Sequence, residues 1–345
     1  MDNIRVFSVL DDGREVHAIR LTNASGEYAD ILTFGATIRA LCVLDRDGKL
    51  GDVVLGSAEG EDASGRHFPA SVMGRCGNRI AWGKFTLDGK EYQLKLPFPE
   101  RSPHHLHGAK GNFSNQLFRA EASEDGHSVS LYHYDDGEDG WECGAHVKIT
   151  YTLSDEHELH IDYELTADGT TLLTPTNHAF FNLNMPNTID TTVLKLYTDT
   201  YAPKSEIGMP DGRLAPVKGT PMDFTMGRTC AEGLASPMEG DFADWKGYDD
   251  FFFLPGEGYR KIAEAYCPEN GRVMETYTDQ TALIMFTPIL RNPLENKGLK
   301  FEGAMAFCLE TQYMPNAVNC EGYVKPIFRR GETMRSRTTY KFSVK

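Results

Sequence analysis

The segment that decides the fold is Val147-Lys148-Ile149-Thr150-Tyr151-Thr152-Leu153, followed after Ser154-Asp155-Glu156-His157 by Glu158-Leu159-His160-Ile161-Asp162-Tyr163-Glu164-Leu165. Apolar and polar residues alternate strictly in both halves, which is the period of a β-strand with one buried face. The polar residues between the halves suit a turn. The segment therefore predicts an antiparallel hairpin with one face in the core and the other in water.

A second hairpin is predicted around Asp88-Gly89. The flanking segments, Lys84-Phe85-Thr86-Leu87 and Lys90-Glu91-Tyr92-Gln93-Leu94, have the composition of strands. Asp-Gly tolerates the positive φ angles of a two-residue type I′ turn. Such a turn would place Phe85 opposite Tyr92.

The same two-residue period returns at Thr338, Tyr340, Phe342 and Val344, and no stretch has the pattern of a long amphipathic helix. Glycine and proline are spread along the chain without a low-complexity linker. We therefore expect an all-β protein, a large and mostly antiparallel β-sandwich that forms a single domain over residues 1–345.

The composition restricts the partners and the compartment. Lys and Arg number 35 against 50 Asp and Glu, a formal net charge of −15, which argues against nucleic acid and against anionic membranes. The N-terminal residues lack the apolar core of a signal peptide, and no apolar run reaches membrane-spanning length. The seven cysteines include no C-x-x-C pair. We expect a cytoplasmic protein with reduced thiols.

Two residues suggest acid–base chemistry. His178 lies in Thr176-Asn177-His178-Ala179-Phe180-Phe181-Asn182, and Glu310 interrupts the apolar run Phe307-Cys308-Leu309-Glu310. Burying either group is costly, and a buried acid with a buried base suits proton transfer on a neutral substrate. Local sequence alone leaves alternatives: His178 could be a hydrogen-bonded structural residue, and Glu310 could pair with an arginine or face solvent.

Two histidine clusters invite a metal interpretation, which their spacing does not favour. His104-His105-Leu106-His107 fits no standard zinc pattern, and His157-Glu158-Leu159-His160 is one residue shorter than the helical H-E-x-x-H motif. We predict no metal. Trp82, Trp141 and Trp245 could stack on a flat face of a ligand, but a role in the core or at a rim is the simpler expectation.

Motifs along nearly the whole chain give it a family resemblance. They are Phe34-Gly35-Ala36-Thr37, Asp45-Arg46-Asp47-Gly48-Lys49, Asp52-Val53-Val54-Leu55-Gly56, Gly74-Arg75-Cys76-Gly77-Asn78-Arg79-Ile80, Leu106-His107-Gly108, Thr176-Asn177-His178, Gly247-Tyr248-Asp249 and Leu309-Glu310-Thr311-Gln312 with Pro315. In these motifs and in their order, the chain resembles the aldose 1-epimerases, also called galactose mutarotases.

The resemblance implies a β-sandwich with a sugar site on a concave sheet face, and no cofactor. It implies that Glu310 removes the proton of the C1 hydroxyl while His178 protonates the ring oxygen, which opens the ring and lets the α and β anomers exchange. Asn78, Arg79, His107 and Asp249 would hold the sugar. The implied partner is a small aldose such as glucose or galactose, and the chain would be a monomer or homodimer.

Two departures from the family pattern bear on the substrate. Ile284 stands where the family commonly has a glutamine that contacts the sugar, and Asp250 stands where it usually has histidine. An apolar residue at position 284 removes a polar partner for a hydroxyl, so the sugar preference is expected to differ. Asp249 and Asp250 could also be ordinary solvated or turn residues.

Other functions share this fold. Glu310 and Asp249 could form the carboxylate pair of a glycoside hydrolase, which would not need His178. A hexose phosphate would favour clustered basic residues, which the motifs do not contain. A carbohydrate-binding module would bind sugar without changing the rate of anomer exchange.

Overall fold

Strands dominate the computed structural model, which describes residues 3–58, 70–235 and 247–345. The hairpin predicted first is confirmed: Ala145–Leu153 and Glu158–Ala167 pair antiparallel, with Ile149 opposite Tyr163 and Tyr151 opposite Ile161. Their apolar side chains are buried, while the alternate positions reach solvent, as the two-residue period requires.

The hairpin belongs to a sheet of nine described strands, here called the large sheet. In spatial order its strands are Arg119–Ala122, Ser128–Asp135, Ala145–Leu153, Glu158–Ala167, Thr333–Val344, Arg272–Thr278, Arg260–Tyr266, Val193–Leu196 and Arg228–Thr229. The predicted C-terminal strand, Thr333–Val344, pairs with Glu158–Ala167 on one side and Arg272–Thr278 on the other. A late segment of the chain therefore joins two halves of the sheet.

The strands of the N-terminal sheet are Ile4–Val9, Glu15–Thr22, Tyr28–Leu32, Thr37–Leu44 and Leu50–Asp52. The inward side chains of this sheet and of the large sheet share one apolar core, which includes Ile31, Ile38, Ile149 and Tyr151. The Tyr151 hydroxyl donates to the carbonyl of Ala36 at 2.6 Å. Each large apolar side chain that folding removes from water contributes about 1.5–3 kcal/mol, so this interface supplies much of the stability.

A further sheet carries one of the two candidate catalytic residues and is here called the Glu310 sheet. In spatial order its described strands are Ala215–Pro216, Thr200–Ala202, Asp249–Phe253, Ala282–Phe286 and Cys308–Gln312. Phe252, Leu283 and Leu309 join the main core from one face of this sheet. Because side chains alternate along a strand, Glu310 points to the opposite face.

Short elements complete the described chain. The paired strands are Val72–Met73 with Thr176–Asn177, Arg79–Ile80 with His105–Leu106, Lys84–Leu87 with Lys90–Gln93, Thr171–Leu172 with Ile327–Phe328, and Ile289–Asn296 with Leu299–Ala304. The 3₁₀ turns are Ala81–Gly83, Ala109–Gly111, Phe113–Asn115 and Ala317–Asn319, and the α-helix is Cys230–Leu234.

The predicted Asp88-Gly89 hairpin is confirmed. Asp88 and Gly89 have φ angles of 51° and 79°, and Phe85 lies opposite Tyr92 with the two ring centroids 4.9 Å apart. With Cys230–Leu234 as the α-helix of the described ranges, the all-β class is confirmed as well. None of the helical segments described has the length and apolar character needed to cross a bilayer.

Candidate active site

Glu310 is buried in the middle of the strand Cys308–Gln312, with 2% of its side chain exposed. The neighbouring strand places Ile284 directly opposite it. Ile284 is fully buried and packs with Phe251 and Met314. The apolar side chain of Ile284 therefore helps to keep water from the carboxyl group of Glu310.

A pair of backbone hydrogen bonds brings His178 to Glu310. Phe181 donates to the carbonyl of Phe307 at 2.8 Å, and Phe307 donates back to Phe181 at 3.0 Å. His178 therefore lies near the strand that begins at Cys308, and its own N–H donates to the carbonyl of Ser71 at 3.0 Å. The His178 Nε2 and Glu310 Oε1 atoms lie 3.5 Å apart.

The two groups retain unused hydrogen-bonding capacity. His178 Nδ1 and Glu310 Oε2 are both buried, and neither forms a hydrogen bond to another residue in the described ranges. Buried polar atoms are normally satisfied, so such exceptions point to strain or to a site for a ligand. The unpaired atoms flank the contact that could transfer a proton.

Two phenylalanines fix the plane of the imidazole. Phe180 stacks nearly parallel to His178 with the ring centroids 5.0 Å apart, and Phe286 meets it edge-on at 5.9 Å. Phe180 and Phe286 also pack with Cys308 in one apolar cluster. One side of the candidate site is therefore apolar, which strengthens electrostatic interactions within it.

Burial shifts both proton affinities toward the neutral forms. Burial raises the pKa of Glu310 well above its ordinary value, the charge of Asp249 adds to the shift, and Arg79 opposes it. Burial lowers the pKa of His178 to about 4, against a backbone hydrogen bond and Asp249, which both raise it. The pKa of the carboxyl group is thus shifted up and that of the imidazole down. Burial therefore favours the form of the pair in which Glu310 holds the proton and His178 is neutral.

His107 lies beside His178, with the ring centroids 5.5 Å apart. The ring Nδ1 of His107 accepts the backbone N–H of Asn78 at 3.0 Å, and the backbone N–H of His107 donates to the Asn78 carbonyl at 3.0 Å. Nδ1 is therefore unprotonated, which leaves Nε2 as the donor. Burial, then the charges of His178 and Arg79, lower the pKa of His107 well below its usual value, so it remains neutral.

The glycine of Leu106-His107-Gly108 is required by a close approach. Gly108 has a φ of 95°, and a Cβ there would lie 1.9 Å from the carbonyl oxygen of Gly74. A side chain at this position would push the His107 segment away from the segment that leads to Asn78. This glycine therefore keeps the two segments in register.

Arg79 and Asp249 form an ion pair, with Nη1 and Oδ2 3.2 Å apart. The Asn78 side chain accepts the backbone N–H of Arg79 at 2.9 Å. Asp249 lies in the strand Asp249–Phe253, directly opposite Phe286. Both members of the pair keep part of the side chain exposed, 21% for Arg79 and 12% for Asp249, so a ligand can reach both side chains.

A second ion pair was not found by sequence reasoning. Asp250 is buried, its Oδ1 lies 2.8 Å from Lys204 Nζ, and its Oδ2 accepts the N–H of Asp249 at 3.2 Å. Burial raises the pKa of Asp250, Lys204 opposes the shift, and Asp249 adds to it. Asp250 is thus neither solvated nor in a turn. The sequence does carry a signal for this buried acid, because two consecutive aspartates begin a strand, Asp249–Phe253, that is otherwise aromatic.

The structure brings the six predicted site residues, from separate segments, into one connected arrangement. Glu310 contacts His178, His178 lies beside His107, Asn78 holds His107, and the next residue, Arg79, binds Asp249. The other histidines of the His104–His107 cluster have separate bonds: His104 Nδ1 accepts the Trp82 N–H, and His105 Nδ1 lies 2.7 Å from the Lys95 carbonyl.

Comparisons with known proteins identify the family of this chain. The family model for aldose 1-epimerase matches residues 17–341. Galactose mutarotase from Rattus norvegicus is 37% identical over 322 residues, which cover 91% of each chain.

Solved structures share the fold. The structure of galactose 1-epimerase from Lactobacillus acidophilus aligns with a TM-score of 0.86 at 24% identity, covering 99% of this chain and 98% of that one. An aldose epimerase homologue from C. elegans aligns with a TM-score of 0.85 at 24% identity, covering 95% and 98%. The chain therefore belongs to the aldose 1-epimerase family, whose members are isomerases that act on sugars.

Proposed function

We propose that this protein interconverts the α and β anomers of free aldoses, with Glu310 as the base and His178 as the acid. The observation that carries the proposal is the contact of 3.5 Å between the buried carboxyl group of Glu310 and the imidazole of His178, whose side chain is 13% exposed. Each of these groups also has one buried atom without a hydrogen bond to another described residue.

The reaction conserves the single proton of the pair. Before the reaction, the proton of the pair must move from Glu310 to His178. The carboxylate then takes the proton of the C1 hydroxyl while the imidazolium protonates the ring oxygen. The bond between C1 and the ring oxygen then breaks, and an open-chain aldehyde forms. Rotation about the C1–C2 bond exposes the other face of the aldehyde, and the reverse transfers close the ring.

The environment of the pair favours the ring-opening step. Opening converts the charged pair, carboxylate and imidazolium, into the neutral pair, carboxylic acid and imidazole. Burial favours neutral forms of both groups, as the raised pKa of Glu310 and the lowered pKa of His178 indicate. Hydrogen bonds from the sugar hydroxyls to the carboxylate would favour the charged form before reaction. The two forms are thus held close enough in free energy for turnover in both directions.

The remaining site residues would bind the sugar. His107 offers its Nε2 proton close to His178, and Arg79 and Asp249 present donors and an acceptor to hydroxyls further from C1. Asn78 positions both His107 and Arg79 through its backbone and its side chain. The substrates proposed are neutral aldoses such as glucose and galactose, consistent with the name of the mutarotase relatives.

Polarimetry tests the proposal directly. Fresh α-glucose, α-galactose, xylose and arabinose are followed with the native protein, Glu310→Gln and His178→Asn. We expect faster equilibration of at least one aldose, loss of the acceleration in both variants, and an unchanged final ratio of anomers. Lys148→Met, at an ion pair on the large sheet, is the matched control and should equilibrate sugars as the native protein does.

Two results would contradict the proposal. Equal rates with and without protein across all four sugars would favour sugar binding without turnover or a modified substrate. Full activity in Glu310→Gln would reject the assignment of the base, whatever the activity of His178→Asn.

A further inference from the structure

Trp82 is an exposed aromatic residue that is held in place. Its side chain is 48% exposed, whereas Trp141, the other tryptophan in the described ranges, is 3% exposed. The backbone N–H of Trp82 donates to His104 Nδ1 at 3.2 Å, and the backbone carbonyl of Trp82 accepts a hydrogen bond from Gln93 Nε2 at 3.1 Å. Its φ of 57° is in the left-handed region, which side chains other than glycine occupy at a cost.

The position of Trp82 follows from the short ladder that carries Arg79. Arg79 pairs with Leu106 and Ile80 pairs with His105. At one end of this ladder, Asn78 binds His107, whose ring is 5.5 Å from His178. At the other end Trp82 binds His104. Two residues lie between His107 and His104, so at most about 11 Å of backbone joins the residue beside His178 to the residue that Trp82 contacts.

Arg79 pairs with Leu106, two residues along the chain from His104, so this end of the ladder lies next to one of the residues proposed to hold the sugar. Burial lowers the pKa of His104, and the positive charge of Arg79 lowers it further. His104 therefore lies within the field of the guanidinium that binds Asp249. The centroids of the His104 and Trp82 rings are 4.9 Å apart. Trp82, His104 and Arg79, which lie on or next to the same short ladder, are here called the rim.

The chemistry of this rim suits a second sugar ring. An indole face binds the C–H face of a pyranose by apolar contact, and a few convergent polar groups give such a site its specificity. Because His104 Nδ1 accepts the Trp82 N–H, its proton is on Nε2, which can donate to a hydroxyl. The neutral imidazole suits a neutral ligand.

We propose that Trp82 and His104 form a stacking subsite for the second ring of a reducing disaccharide or short oligosaccharide. The inference rests on the proposed function, because the reducing unit must place its C1 at Glu310 and His178. Arg79 and Asp249 would then hold hydroxyls of the reducing unit, and the glycosidic bond would lead past Arg79 to the indole. A free monosaccharide would leave the subsite empty.

Polarimetric KM values for glucose, maltose, cellobiose and lactose test the subsite in the native protein and in Trp82→Ala. We expect an increase of about five- to tenfold in KM for at least one disaccharide, matching the worth of an aromatic contact, and an unchanged KM for glucose. Trp82→Phe should retain most of the disaccharide affinity. Tyr134→Ala removes an equally exposed aromatic, 51% exposed on the large sheet, and should change neither value.

Trp82→Gly is a second variant that should fold even if Trp82→Ala does not, because glycine adopts the φ of this position without strain. It should lose disaccharide affinity as Trp82→Ala does, with normal glucose turnover. Equal KM changes for glucose and the disaccharides, or no change for any disaccharide, would overturn the subsite.

Calorimetric titration separates the two proposals. If no sugar equilibrates faster than in buffer, the proposed function fails, and the affinity of maltose for the native protein and for Trp82→Ala still decides the subsite. Weaker maltose binding in the variant with unchanged glucose binding supports it. Equal maltose binding in the two proteins rejects it.

Discussion

Asp30 and Glu310 are both buried carboxyl residues, yet the structure treats them in opposite ways. Asp30 lies in the N-terminal sheet, and its side chain is fully buried among three arginines, with N–O distances of 3.1 Å to Arg5, 2.8 Å to Arg20 and 2.6 Å to Arg39. Glu310 is also buried, but the group that it contacts, at 3.5 Å, is the imidazole of His178.

The difference in partners reverses the effect of burial. Burial alone would raise the pKa of Asp30, but hydrogen bonds from Arg20, Arg39 and Arg5 hold it well below its usual range. For Glu310 burial dominates and raises the pKa, with only the charge of Arg79 opposing it. Asp30 is therefore ionised and structural, whereas Glu310 is held where it can exchange a proton.

Asp250 lies between these extremes. It is buried like the other two, has one cation, Lys204, at 2.8 Å, and burial raises its pKa while Lys204 opposes the shift. The partners of the three carboxyl groups thus form a series: three cations at Asp30, one cation at Asp250 and an imidazole at Glu310. The comparison indicates that this protein stabilises buried charge where the fold needs it and withholds that stabilisation at the candidate catalytic carboxyl.

The largest expected effect is that of Glu310→Gln. Loss of the base should lower kcat about a thousandfold, while the free energy of unfolding at pH 8 rises by about 1 kcal/mol. The gain arises because the folded pKa of Glu310 exceeds its ordinary value of 4.5, so ionisation above that pH costs folding free energy that glutamine does not incur.

Polarimetry and urea unfolding at pH 5 and pH 8 measure these two effects. The stability gain should shrink at the lower pH, because pH 5 is close to the ordinary pKa of 4.5 and a larger fraction of the unfolded carboxyl groups is then protonated. A variant that is less stable than the native protein at both pH values would contradict the comparison.

Asp30→Asn should have the opposite signature. It leaves three arginines around a neutral side chain, and we expect a loss of about 3–5 kcal/mol in the free energy of unfolding. The kcat per folded molecule should be unchanged. The control is Asp12→Asn, at an exposed pair with Arg14, which should change stability by less than about 0.5 kcal/mol.

The pH dependence of this loss follows from the lowered pKa of Asp30. The stabilisation is present above the ordinary value of 3.8 and is lost as the pH falls below it. The difference in denaturation midpoint between the native protein and Asp30→Asn should therefore narrow on acidification. A constant difference from pH 7 to pH 3 would show that packing rather than charge is responsible.

Lys204→Met should produce an intermediate effect. Removing the cation that lies 2.8 Å from Asp250 should lower the free energy of unfolding by about 1–2 kcal/mol. Because Asp250 accepts the N–H of Asp249, the KM for aldoses should rise a few-fold while kcat changes less. The double variant Lys204→Met with Asp250→Asn should recover part of both losses, and a double variant worse than Lys204→Met would contradict this reasoning.

The smallest effect concerns the acid limb of activity. His178 has a pKa of about 4, so the imidazole is neutral above that pH, and below it the pair gains a second proton. The value of kcat/KM should fall about tenfold per pH unit below this point. Polarimetry from pH 7 down to pH 3.5, with the spontaneous rate subtracted, tests this, and an acid limb centred near 6.5 would show that His178 is solvated.

Sequence reasoning succeeded where the signal was local. The alternation from Val147 to Leu165 and the turn at Asp88-Gly89 each encode a hairpin, because both strands and their turn are adjacent in the chain. The placement of Thr333–Val344 next to Arg272–Thr278 could not be deduced, since the pairing depends on which distant apolar faces match.

The same distinction applies to the candidate site. Glu310 and His178 could be nominated because each is a costly residue in an apolar stretch. Their contact depends on the hydrogen bonds between Phe181 and Phe307, which no local pattern encodes. The stacking of Phe180 on His178 and the pairing of Lys204 with Asp250 were missed for the same reason.

The central position of Thr333–Val344 in the large sheet affects how the protein is made. During translation, the strands Glu158–Ala167 and Arg272–Thr278 are both completed before their shared neighbour leaves the ribosome. Until then each presents an open strand edge, which is the kind of surface that promotes aggregation and recruits chaperones. A polypeptide truncated before residue 333 would keep both edges open permanently, so premature stop codons even close to the end of the described chain should yield insoluble product.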